Sequence, residues 1–69
     1  MLTPVQRETF ERAMANYIGP MAAIVCGDYF DSATDLRSLA IKLAGEIPGA
    51  DQAAKFKADI GRALNIVGL

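Results

Sequence analysis

Gly19-Pro20 stands in the segment Asn16-Tyr17-Ile18-Gly19-Pro20-Met21-Ala22-Ala23-Ile24-Val25-Cys26, directly before the most apolar run of the chain. A glycine can take the left-handed conformation that ends a helix. A proline does not continue that helix, but it suits the first turn of the next one, where its missing N–H would have had no partner. The pair therefore predicts a corner between two helices with almost no loop, and such a corner fixes the angle between them. The run from Met21 to Cys26, apolar nearly all round, then predicts a short second helix buried on most sides, the hub of a bundle.

The rest of the chain reads as three more helices around that corner. Thr3-Pro4-Val5-Gln6 has the form of an N-cap, a proline at the first helical position and a glutamine reaching back. Phe10, Ala13, Met14 and Tyr17 follow at i, i+3, i+4 and i+7 and make one apolar stripe. Arg7/Glu11 and Glu8/Arg12 are opposite-charge pairs one turn apart, each worth about 0.2–0.5 kcal/mol. Gly27 to Asp31 reads as the end of the second helix and a turn. Gly27 either weakens that helix by about 1 kcal/mol relative to alanine or lets a neighbour approach closely.

Ser32-Ala33-Thr34-Asp35 repeats the capping signature, with Ser32 as the cap and Asp35 reaching back. The third helix carries Leu36, Leu39, Ala40, Leu43 and Ile47 on one stripe and is stopped by Ile47-Pro48-Gly49. Asp51 is placed to cap a fourth helix, whose stripe is Ala53, Phe56, Ile60, Ala63, Leu64 and Val67. Gly61 inside it calls for close packing, and Gly68 ends it. The expected fold is a single all-α domain over residues 1–69, a compact bundle of four short helices in an orthogonal arrangement with the Gly-Pro corner between the first two.

At 69 residues such a domain is marginally stable by itself. The one cysteine excludes an internal disulfide, and the absence of histidine excludes zinc held by the usual Cys/His spacings. Regular helix packing, self-association or a longer parent chain must supply the support. A net charge of −1 gives no field to attract nucleic acid or an anionic membrane. The N-terminal stretch lacks the charged start and apolar core of a secretory leader, and no apolar run approaches a membrane span. A cytoplasmic protein is expected, with no nucleic-acid or membrane partner, no metal, no cofactor and no small-molecule substrate.

Residues able to carry chemistry are few. Cys26 lies in the apolar run with no histidine to activate it, which predicts a buried, inert thiol. Asp28, Asp31 and Asp35 lack the further oxygen ligands and closing glutamate of a calcium loop, so capping and turn roles are expected. Lys55, Lys57 and Arg62 give the fourth helix an outline of a recognition helix, but Asp51 and Asp59 interrupt it and predict a solvated face. Tyr17, Tyr29 and Phe30 can be core or rim aromatics. If Tyr29 and Phe30 sit in an exposed turn beside Met21 and Ile24, they make a larger apolar patch than a monomer usually shows.

The core Met14-Ala15-Asn16-Tyr17-Ile18-Gly19-Pro20-Met21-Ala22 resembles an L/M-A-x-Y-I-G-P-x-A core found in a short C-terminal helical domain of bacterial signalling proteins, including serine/threonine kinases and nucleotide cyclases. Asp35-Leu36, Leu43-Ala44, Ile47-Pro48 and Phe56 correspond in order to the later positions of that pattern, over roughly residues 10–60. Lys55 stands where the family often has arginine. The resemblance implies an accessory module that binds a protein partner or itself. A second resemblance is to acyl carrier proteins, whose attachment serine follows an aspartate at a helix N-terminus. Asp31-Ser32-Ala33 imitates it, with Ala33 in place of the leucine and Gly27 displaced.

The expected function is thus a non-enzymatic protein-interaction or dimerisation module of a bacterial signalling or regulatory system. Its partner is another protein or a second copy, met through Tyr17, Ile18, Met21, Ile24, Tyr29 and Phe30. The alternatives are a carrier protein with Ser32 as the attachment site and a small DNA-binding regulator using the fourth helix.

Overall fold

A computed structural model describes residues 2–69 and contains α1 (Pro4–Ile18), α2 (Met21–Phe30), α3 (Leu36–Ala44) and α4 (Ala50–Leu64). No strand occurs among the described residues. The all-α, four-helix arrangement expected from the sequence is the one observed.

α1 begins as its sequence dictates. Thr3 Oγ1 accepts from the Gln6 N–H at 3.1 Å, and Gln6 Oε1 accepts from the Thr3 N–H at 3.0 Å. Two donors without helical partners are satisfied reciprocally. At the other end the Gly19 N–H donates to the Ala15 carbonyl at 3.0 Å, and the Ala22 N–H donates to the Gly19 carbonyl at 3.0 Å. Gly19 has φ +60° but ψ −135°, so its conformation is one for glycine without being the left-handed helical one. Only Gly19 and Pro20 separate the two helices, and the corner is as tight as expected.

α2 differs from expectation in length and in burial. It runs through Gly27 and takes in Asp28, Tyr29 and Phe30 as its last turn. The helical penalty of one glycine, about 1 kcal/mol, is outweighed by what that last turn anchors. Phe30 packs edge-on to Phe10 with ring centroids 6.3 Å apart, and the Tyr29 hydroxyl donates to Glu46 Oε2 at 3.0 Å. Gly27 itself is exposed, with open space where a Cβ would lie, so it marks no close approach of another element. Only Ala22 and Cys26 of α2 are buried, which makes this helix a thin wall rather than a hub.

α3 is capped by Asp35 and not by Ser32. The Asp35 carboxylate accepts from the Ser38 N–H at 2.8 Å. Ser32 belongs to the turn after α2, where its N–H and hydroxyl both donate to the Tyr29 carbonyl, at 3.2 and 3.4 Å. Aspartate and serine cap equally well, so the one placed next to the apolar stripe prevails. α4 likewise starts one residue before the expected cap: Gly49 is its N-cap, and Asp51 lies in the first turn, where a carboxylate favours the positive end of the helix dipole.

The far end of α4 also departs from expectation. Asn65, at φ 57° and ψ 49°, ends the helix, and Gly68 at φ +78° bends a tail that folds back. The Ile66 N–H donates to the Gly61 carbonyl at 2.9 Å, and Arg37 donates to the Val67 carbonyl. A Cβ on Gly61 would lie 3.3 Å from the Ile66 carbonyl oxygen, so the close packing expected at Gly61 is supplied by the tail. Val67 is outside the helix and 80% exposed, and Ala63 is exposed too, so neither continues the apolar stripe.

The helices close a ring, α1 against α2 and α4, and α3 against the same two. Phe10, Met14, Leu39, Leu43, Phe56 and Ile60 fill its centre, with the small side chains Ala22, Ala40 and Ala44 letting the backbones approach. No polar or charged residue is buried among the described residues.

Candidate interaction surface

Two tyrosines tie the outside of the ring together. Tyr17, near the end of α1, sets its ring edge-on to Phe56 at 6.4 Å and donates its hydroxyl to Asp59 Oδ2 at 2.8 Å. The other Asp59 oxygen accepts from Arg62 at 2.6 Å. Donation to a carboxylate holds the Tyr17 phenol above its usual pKa, and the same cause acts on Tyr29 through Glu46. These are clamps between elements, α1 to α4 and α2 to the turn after α3. Four of the six residues named from the sequence, Tyr17, Ile18, Tyr29 and Phe30, are half-buried and pack against the core. Tyr29 and Phe30 lie in a helix and not in an exposed turn, because Phe10 and Glu46 hold them down.

Met21 and Ile24 remain. They are one turn apart on the outer side of α2, at 51% and 60% exposure. Ala22 and Cys26 already fill the inner side, so nothing in the ring calls for large apolar groups on the outer one. Asp28 stands one turn beyond Ile24 on the same face, also exposed. Ile41 on α3, at 53% exposure, was not singled out from the sequence. Its signal is present there: it falls outside the stripe of Leu36, Leu39, Ala40 and Leu43, an apolar residue on the polar side of a clean helix.

The groups with chemical potential are placed otherwise. Cys26 is fully buried, and desolvation, with a smaller effect from the Glu11 carboxylate, pushes its thiol up to about 11. Ser32 is separated from the start of α3 by Ala33, Thr34 and the Asp35 cap, unlike the helix-terminal serine that the carrier resemblance implies. On α4, Arg62 is tied to Asp59 and Lys57 is half-buried, leaving Lys55 as the exposed lysine of that helix. No group of three His, Cys, Asp or Glu side chains able to hold a metal ion occurs among the described residues. No helix among them is long and apolar enough to cross a membrane.

Over residues 5–67 the chain matches a domain of unknown function, DUF8082. It belongs to that family. The DUF8082 match takes in all four helices except Pro4, together with the Gly-Pro corner, both tyrosine clamps and the outer face of α2. No curated protein and no solved structure matches the chain.

Proposed function

We propose that this DUF8082 domain is a non-enzymatic interaction module of a bacterial signalling or regulatory system, and that it meets its partner through the outer face of α2. The observation that carries the reading is the pair Met21 and Ile24, more than half exposed on a helix whose inner side is already packed. Large apolar side chains held on a rigid, solvent-facing helix are the form of a helix-groove or helix–helix contact. The Tyr17-Ile18-Gly19-Pro20 core supports the same reading from the sequence side. It sets the angle at which α2 leaves α1, and so sets where that face points. Its resemblance to the short helical domain of bacterial kinases and cyclases supplies the signalling context.

The test is a photocrosslinking amino acid placed at Ile24 in the cells that make the protein, with the same residue at Lys55 on α4 as the control. A discrete adduct, found at Ile24 and not at Lys55 and identified by mass spectrometry, is the expected result. Equal labelling at the two positions sinks the reading.

A further inference from the structure

We infer that the partner of the α2 face is a second copy of this chain, in a two-fold dimer where α2 of each protomer lies antiparallel on α3 of the other. The inference rests on the reading of that face as an interaction surface and names what covers it.

Charge and register on the two helices carry it. Asp28 is the only charged residue of α2, whereas the charged residues of α3, Arg37 and Lys42, are both basic. The outer strip of α2 presents Met21, Ile24 and Asp28, and the outer strip of α3 presents Arg37 and Ile41, followed by Gly45 at the C-cap, all six exposed. Laid antiparallel with Ile24 against Ile41, Asp28 falls one turn to the side where Arg37 stands. Met21 falls one turn to the other side, against Gly45, which has no side chain to obstruct it. Each apolar group meets an apolar group or open backbone, and the one acid meets a base. Arg37 gives one amino group to the Val67 carbonyl, and a guanidinium has further donors to give to a carboxylate.

Pairing α2 with itself is worse. Two α2 helices set antiparallel about Ile24 would press Met21 onto Asp28 and desolvate a carboxylate with no partner. With α2 on α3, both outer faces are covered in one closed arrangement, and a two-fold axis makes the contact twice.

Sedimentation equilibrium with charge-reversed variants tests this. The wild-type chain is expected to dimerise. Asp28→Arg alone and Arg37→Asp alone each put like charges together at both contacts, so each is expected to weaken the dimer by about a hundredfold. A mixture of the two variants restores opposite charge at one contact and leaves the other native. It is therefore expected to form a heterodimer at concentrations where each variant alone is a monomer. Circular dichroism confirms that each variant is folded. If Arg37→Asp unfolds through loss of its bond to Val67, the opposed pair Ile24→Asp and Ile41→Lys, both at exposed positions, takes its place, with each alone expected to be a monomer and their mixture a heterodimer. A folded wild-type monomer at every concentration overturns self-pairing, and so does a wild-type dimer whose variants form no heterodimer. Either result leaves the interaction reading itself to the crosslink at Ile24, where an adduct with a different protein would keep it and an unselective adduct would end it.

Discussion

Ile60 on α4 and Ile24 on α2 carry the same side chain into opposite surroundings. Ile60 is wholly excluded from water, among Phe10, Phe56 and the other large residues of the ring, and Ile24 is 60% exposed. The difference teaches that apolar content alone says little about what a residue does in a domain this small. α4 has a charged face and an apolar face, and the hydrophobic effect has one way to orient it. α2 has almost no polar face, so its orientation is set by its neighbours, the corner at Gly19-Pro20 and the anchors at Tyr29 and Phe30.

The comparison can be broken most directly by truncating both residues. Ile60→Ala should lose about 2–5 kcal/mol, the usual range for a large aliphatic side chain removed from a packed core. A domain of this size holds a total stability of the same order, so the variant should be largely unfolded at room temperature. Ile24→Ala should change stability by less than about 0.5 kcal/mol, as exposed positions do. Urea denaturation at low protein concentration, where association plays no part, reads both. An equal loss at the two sites would mean that the α2 face is core after all.

The two candidate caps before α3 give the next contrast. Asp35→Ala removes the acceptor of the Ser38 N–H and should lose about 1 kcal/mol. Ser32→Ala removes a 3.4 Å hydrogen bond to the Tyr29 carbonyl at an exposed turn and should lose less than about 0.5 kcal/mol. A larger loss at Ser32 would restore it as the residue that organises the α2–α3 connection.

What could be read from the sequence follows the same division. The capping box at Thr3, the corner at Gly19-Pro20 and the stripes through Phe10, Leu39 and Phe56 are local signals, and each appears where its residues put it. The end of α2 was not legible, because Gly27 reads as a stop unless Phe10 and Glu46 are known to hold the turn beyond it. The cap of α3 was ambiguous, since Ser32 and Asp35 both have capping chemistry and only the path of the chain chooses between them. The end of α4 was misread because the tail returns on Gly61, a contact that no periodicity encodes. At the candidate surface, Met21 and Ile24 are more than half exposed, although the run they belong to reads as buried on most sides. Tyr29 and Phe30 were placed in a turn because the sequence does not reveal their anchors.

The two glycines inside helices sharpen the picture further. Gly27→Ala adds a methyl group to open space and removes backbone freedom from the unfolded chain, so it should stabilise by about 0.5–1 kcal/mol. Gly61→Ala gains the same propensity but places its Cβ 3.3 Å from a backbone oxygen of the folded-back tail, so the gain should vanish or reverse. Thermal denaturation of the two variants side by side decides it. A matching rise in Tm for both would show that the tail gives way at little cost.

The smallest expected effect isolates the charge of the α3 cap. The Asp35 carboxyl is held below its ordinary value of 3.8, first by the backbone hydrogen bond from Ser38. A carboxyl whose pKa is depressed by folding stabilises the folded state above its unfolded value, and that contribution fades as pH falls through the folded one. The cap's charge should therefore contribute fully at neutral pH and be lost progressively as the pH falls toward 3.8 and on through the lower folded value. Asparagine caps a helix about as well as aspartate but does not titrate, so Asp35→Asn should keep most of the cap at pH 7. The difference in stability between wild type and Asp35→Asn should then be constant near neutral pH and move in favour of asparagine as the pH falls toward 3.8 and below it. A difference that stays constant through the whole acid range would mean that folding does not shift the Asp35 carboxyl and that the Ser38 bond is not what holds the start of α3.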